Sequence, residues 1–162
     1  MQDRLTIRQA EDADSGQVAA LIATCWVAYP GCILDIQGEE PILRAIASNF
    51  RAKQGRFWVV CRDDWVIGCV GIAPTPKGQA DAELLKMYVH PRQRRRGVAR
   101  MLEQQAAATA KAWGAKTLDL WTDTRFAEAH AFYASIGYTK TDRLRSLNDL
   151  SNTSEFHFIR TL

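Results

Sequence analysis

The sequence predicts a mixed α/β (α+β) fold, a central sheet flanked by helices, and three observations carry that prediction. Short β-capable runs and amphipathic helical runs follow one another in the order β-α-α-β-β-β-α-β-α-β-β. No stretch repeats and none reads as a linker, so the 162 residues are expected to form a single domain, 1–162. A hydrophobic content of 47% with 24% charged residues belongs to a folded globular chain and excludes a disordered or fibrous one.

In chain order, RLTIRQA alternates Leu5 and Ile7 with polar neighbours, the pattern of a short half-buried strand. Asp12, Asp14 and Ser15 then stand as N-cap candidates ahead of Val18, Leu21, Ile22 and Cys25 at helical spacing. In EEPILRAIASNFRAKQG, Pro41 takes a first helical position behind two acids and Gly55 supplies the stop, which predicts a second helix. RFWVVCR and WVIGCVGIAP, joined through Asp63 and Asp64, read as an antiparallel hairpin. A third β run, AELLKMYVH, stops at Pro91. Val98, Met101, Leu102, Gln105, Ala106 and Thr109 trace one helical face up to Trp113, with Gly114 as cap. KTLDLWT is a strand, FAEAHAFYASIG a short helix ended by Gly137, and YTKTDRLR and SEFHFIRTL are two closing β segments.

The formal net charge is only +3, so whole-chain electrostatics do not demand nucleic acid or an anionic membrane. Cys25, Cys32, Cys61 and Cys69 form no C-x-x-C pair, and with His90, His130 and His157 on different elements no metal site is expected. The cysteines read as buried or partly buried free thiols. Charges at Asp3 and Arg4, no apolar leader segment and no membrane-length apolar run lead to an expected cytoplasmic location.

Against that mild balance, Arg92, Arg94, Arg95, Arg96 and Arg100 crowd into nine residues where a strand feeds a helix beginning Gly97-Val98-Ala99. A helix N-terminus presents backbone N–H groups without intrahelical partners and about half a positive charge, an anion site by construction. Gly97 has no Cβ to obstruct a phosphate, Ala99 has only a methyl, and arginines add fork-shaped donors. Neither G-x-x-x-x-G-K-S/T nor G-x-G-x-x-G is present, so the ligand is some other phosphate-bearing molecule.

RRRGVA, Arg94 to Ala99, fits the Q/R-x-x-G-x-G/A signature of the GNAT superfamily of acetyl-CoA-dependent N-acetyltransferases. LLKMYVHP and HAFYASIGY resemble that family's fourth strand and its tyrosine-containing fourth helix, in the right order and spacing. The resemblance implies a mostly antiparallel sheet and acetyl-CoA as co-substrate, with no metal. It implies that the amides and side chains around Arg94, Arg95, Arg96, Gly97, Val98, Ala99 and Arg100 hold the coenzyme A pyrophosphate. Backbone groups of Met87, Tyr88 and Val89 would orient the thioester. Many relatives carry an Asn seven residues before the helix tyrosine; here the position is Phe126.

Acetyl transfer needs a neutral amine, yet an amine of pKa ~10.4 is protonated at pH 7 in all but about one part in 2,500, roughly 4.6 kcal/mol uphill. Glu83 resembles the glutamate base of the histone-acetylating branch; its other reading is a solvated strand-edge acid. Tyr133 matches the tyrosine that protonates the departing thiolate; its other reading is a packing tyrosine. Trp26 and Tyr29 are candidates to bind the acceptor or to fill the core, and Arg143, Arg145, Asn148, Asp149 and Glu155 join them from the final hairpin. No covalent nucleophile is indicated, so direct attack in a ternary complex is the simpler mechanism. A small-molecule amine, a peptide N-terminus and a protein lysine all fit as acceptor, and resemblance suggests a homodimer through the final strands.

Two other readings follow from the same residues. A catalytically silent member would bind acetyl-CoA as a sensor. An RNA- or DNA-binding patch over Arg92–Arg100 would use the arginines alone, but Glu103, Asp119 and Asp123 interrupt it.

Overall fold

The computed structural model describes residues 4–162; Asp3, one of the charges noted at the N-terminus, lies outside them. Seven strands, β1 (Leu5–Gln9), β2 (Arg56–Arg62), β3 (Trp65–Pro74), β4 (Ala82–Val89), β5 (Thr117–Asp123), β6 (Thr139–Ser146) and β7 (Ser154–Thr161), form one sheet in the order β1-β2-β3-β4-β5-β7-β6. Every neighbouring pair is antiparallel except β4 and β5. The helices are α1 (Ser15–Trp26), α2 (Ile46–Ala52), α3 (Val98–Ala112) and α4 (Ala127–Ser135). None is long and apolar enough to cross a membrane.

The central strands are apolar on consecutive residues because both sheet faces are covered. Phe57, Val59 and Cys61 of β2 pack with α1 and α2 through Val18, Leu21, Ile22, Ile46 and Phe50. Their alternates Trp58 and Val60 pack on the other face with Val98, Leu102, Ala106 and Ala110 of α3. Each fully buried Leu, Ile or Val contributes about 1.5–3 kcal/mol. Gly68 of β3 sets how closely α3 approaches: a Cβ there would lie 2.9 Å from Val98 Cγ1 and 3.0 Å from Leu102 Cδ1.

Three local expectations are corrected. The predicted second helix is two pieces, a 3-10 turn Pro41–Arg44 and then α2, because Ala45 (φ −149°, ψ 74°) leaves helical space. None of the cap candidates caps α1 through its side chain. Ser15 Oγ accepts from the Ile46 amide (2.9 Å) and Asp12 Oδ1 from the Ser48 amide (2.9 Å), so both cap α2 instead. Asp14 accepts from Glu11 N and two bonds from Arg8, each 2.8 Å, and the guanidinium holds its carboxyl below the usual range. Glu103, Asp119 and Asp123, read as acids that interrupt a basic surface patch, are all buried; Glu103, on α3, is 3% exposed, pairs with Arg160 and accepts from the Tyr138 hydroxyl (3.2 Å).

Candidate functional site

The sheet opens in its middle. β4 pairs with β5 only at Ala82–Leu118 and Glu83–Asp119, and beyond Glu83 the two strands part. A bulge steers β4 away: its register with β3 shifts between Cys69 and Gly71, and Lys86 opposite takes φ +52° while its carbonyl accepts from Cys69 Sγ (3.2 Å). Met87, Tyr88 and Val89 therefore have no strand beside them on the β5 side. Two cavities occupy the opening, of about 540 and 250 Å³.

The larger cavity ends on the arginine loop. Arg95 (φ +60°) and Gly97 (φ +81°) adopt left-handed conformations, and Gly97 becomes the N-cap of α3. No side chain of the described residues caps this helix, so the amides of its first turn are open. A Cβ at Gly97 would meet no protein atom within 4 Å, which leaves room beside those amides. Arg94, Arg95 and Arg100 line the cavity with Gly97, Val98 and Ala99. Arg96 is exposed and lines neither cavity, so its predicted contact is not supported by its placement. Arg94 is already engaged, with Nε donating to the Val89 carbonyl (3.3 Å) and Nη1 to Glu128 Oε2 (3.3 Å). The same Val89 carbonyl accepts from Cys25 Sγ (3.4 Å). Gln93, which also lines the cavity, buries its carboxamide oxygen without a partner among the described residues. These features suit a flexible diphosphate ester that also carries amide N–H donors.

The cavities meet at Met87, Tyr88, Phe126, Ala129 and Tyr133, which line both. Tyr133, 5% exposed, packs against Phe132, Tyr138 and Phe158 with ring centroids 5.6–6.0 Å apart. Its hydroxyl bonds to no described residue. Burial, and then the charge of Glu103, pushes its pKa up, so at neutral pH it is a proton donor. Phe126 packs against Tyr29 with ring centroids 4.6 Å apart and the planes tilted by 50°. Trp26 and Tyr29, expected together on the acceptor surface, are separated: Tyr29 lines the larger cavity and Trp26 the smaller, donating from Nε1 to the Tyr88 hydroxyl (3.1 Å).

The smaller cavity is acidic. Glu83 lines it and makes no hydrogen bond or ion pair with a described residue. Burial first, and then Asp119 beside it on β5, holds its carboxyl above the ordinary carboxylate range. Asp119 Oδ2 lies 2.8 Å from His157 Nε2, and His157 Nδ1 lies 2.9 Å from Thr141 Oγ1. Arg145, Asp149 and Glu155 line the cavity, whereas Arg143 and Asn148 do not. No group of three His, Cys, Asp or Glu side chains suited to a metal occurs among the described residues.

Sequence reasoning missed Cys25, Gln93, Glu128 and Phe132 on the first cavity and Glu40, Trp121 and Asp123 on the second. A signal existed for α4, since Phe126 and Ala129 precede Tyr133 by seven and four residues and so share its helical face. For Glu40, in a long connection, there was none.

A model of the acetyltransferase (GNAT) family matches residues 18–138. The uncharacterized N-acetyltransferase YjgM of Escherichia coli strain K12 is 37% identical over 104 residues, 64% of this chain, and the match spans only 62% of that relative's length. Among solved structures, a GNAT-family acetyltransferase from Staphylococcus aureus Mu50 superposes with TM-score 0.81 at 19% identity, covering 98% of this chain and 99% of that one. The PaiA N-acetyltransferase of Thermoplasma acidophilum, solved in complex with coenzyme A, gives TM-score 0.74 at 18% identity over 98% and 99% of the two chains. The two superpositions establish a shared fold.

Proposed function

The chain belongs to the acetyltransferase (GNAT) family, and from that premise we propose that it transfers the acetyl group of acetyl-CoA to a primary amine by direct attack in a ternary complex. One observation carries the reading: an anion-ready helix end and an unpaired carboxylate open onto two cavities that meet at the buried Tyr133, whose hydroxyl has no partner among the described residues.

In this reading the amides of Val98, Ala99 and Arg100, with the side chains of Arg94, Arg95 and Arg100, hold the pyrophosphate of the coenzyme. Backbone groups of Met87, Tyr88 and Val89 orient its arm along the unpaired edge of β4, and the buried oxygen of Gln93 accepts from an arm amide. Acetyl-CoA supplies the activated acyl thioester. Glu83 takes the proton of the arriving ammonium, for which an elevated carboxyl pKa is an advantage. The amine lone pair then forms the C–N bond as the C–S bond breaks. Tyr133 gives its proton to the leaving sulfur, a neutral donor that brings no negative charge beside a thiolate. The sum is ammonium plus thioester giving amide, free thiol and one proton.

The test is a thermal-shift titration with acetyl-CoA at two salt concentrations, with an RNA oligonucleotide as comparison. Ligand at 100 times its Kd adds about 2.7 kcal/mol, roughly 5–10 °C for a domain of this size. A shift with acetyl-CoA that survives added salt is the expected result. No shift, or a salt-sensitive one with RNA alone, would sink the enzyme reading.

A further inference from the structure

The smaller cavity has more anions than its cations can neutralise. Glu40, Glu83, Asp123, Asp149 and Glu155 line it, against Lys86 and Arg145. Lys86 Nζ pairs with Glu40 at 2.5 Å, Arg145 Nε with Glu155 at 2.8 Å, and Arg125 grips Asp123 from outside the lining at 2.7 Å. Three of the five carboxylates are thereby matched. Glu83 and Asp149 are not: no cation of the described residues lies within ion-pair distance of either, although Arg145 and Lys53 act on Glu83 and Arg125 on Asp149 at longer range. Asp149 Oδ1 accepts from the Thr153 amide (2.8 Å), which fixes the carboxylate in place, and its other oxygen has no partner among the described residues.

A second observation bears on this space. Tyr133, a buried side chain at 5% exposure, lines both cavities where they meet, and its hydroxyl has no partner among the described residues. A cavity of about 250 Å³ is below the range of drug-sized pockets and suits a small molecule. Leu85, Leu120 and Leu147 also line it and supply apolar surface on which a short methylene chain can lie.

We propose that the acceptor is a small diamine with two cationic nitrogens, one delivered to Glu83 for acetylation and the other retained as an ammonium at Asp149. This rests on the acetyltransferase reading and refines its acceptor. The first nitrogen loses its proton to Glu83 and forms the C–N bond as the thioester C–S bond breaks, with Tyr133 protonating the sulfur. The second nitrogen keeps its charge, so the products are the mono-acetylated diamine, still a cation, free coenzyme A and one proton. A carboxylate in place of the second ammonium would meet Asp149 as a like charge, and a methyl would leave it unmatched.

The experiment compares kcat/KM for diaminobutane bearing a terminal amine at each end, butylamine and γ-aminobutyrate, with acetyl-CoA in the full chain. The expected order is diaminobutane, butylamine, γ-aminobutyrate, with about tenfold or more between the first two. Asp149→Asn keeps the oxygen that accepts from Thr153, and is expected to bring that ratio within about threefold, chiefly through KM for the diamine. Equal use of butylamine and diaminobutane, a preference for γ-aminobutyrate, or a lysine peptide that outcompetes the diamine would overturn the proposal while leaving an active acetyltransferase. Absence of both acetyl-CoA binding and turnover of every amine would overturn the acetyltransferase reading and the proposal with it.

Discussion

The cavity on the α3 side of Tyr133 takes its arginines and open amides from one loop and helix start, Gln93 to Arg100, whereas the cavity beside β5 assembles Glu40, Glu83, Asp123, Asp149 and Glu155 from five separate places in the chain. The first is basic and local, the second acidic and dispersed. A site that binds through helix-terminal amides must be contiguous, because those amides belong to consecutive residues. One that binds through side chains has no such constraint, and here it depends on where β4 leaves β5. The contrast teaches which half of the chemistry is portable within a fold and which half each chain builds for itself.

The largest effect expected is on the contiguous half. Gly97→Glu forces a Cβ onto φ +81° and sets a carboxylate beside the open amides of α3, so acetyl-CoA affinity should fall by at least about 100-fold, or 2.7 kcal/mol. Isothermal titration reads it directly. A graded, salt-dependent loss in place of abolished binding would instead make the arginines a long-range electrostatic patch.

Next is the hydroxyl that the two cavities share. Tyr133→Phe should lower kcat by about 10²–10³ while leaving the Kd for acetyl-CoA within about twofold. Because the hydroxyl has no partner among the described residues, the variant should also keep its stability to within about 0.5 kcal/mol. Unchanged turnover would remove Tyr133 from the chemistry and leave it as a packing residue of α4.

How far these regions could be read from the sequence follows the same division. The order of elements was legible because period-two and helical apolar patterns are local, and so was the arginine loop, whose residues are adjacent. Tyr133 stood out by its place in a helix four residues before Gly137. Partnerships across the fold were not legible. Asp12 and Ser15 have the chemistry of N-caps, but which helix they cap depends on α2 arriving beside them from thirty or more residues away. Glu103 has the composition of a surface charge, yet Arg160, far along the chain, allows it to be buried. Trp26 and Tyr29 are three residues apart, and the end of α1 divides them between two cavities. Glu83 could be named, but the isolation that sets its protonation could not, since it arises from the parting of β4 and β5 and from Asp119 on the neighbouring strand.

That isolation gives the smallest effect and tests the dispersed half. Glu83→Gln should reduce kcat/KM at pH 7 by about 10- to 100-fold and remove an acid limb that, in the unaltered chain, lies above the ordinary carboxylate range. The sign follows from the raised pKa: Glu83 holds its proton more tightly folded than unfolded, so its contribution to stability is fully present below the unfolded value of about 4.3 and is lost as pH rises through the folded value. Glu83→Gln should therefore melt at a higher temperature than the parent at pH 7 to 8, with the gap closing toward pH 4, as calorimetry across that range would show. A gap that is constant with pH would mean that the ionised Glu83 is not penalised by its burial, and an acid limb retained in the variant would place the proton acceptor on another residue. Both results together would leave the acidic cavity as an electrostatic funnel for cations, with the base still to be found among its paired carboxylates.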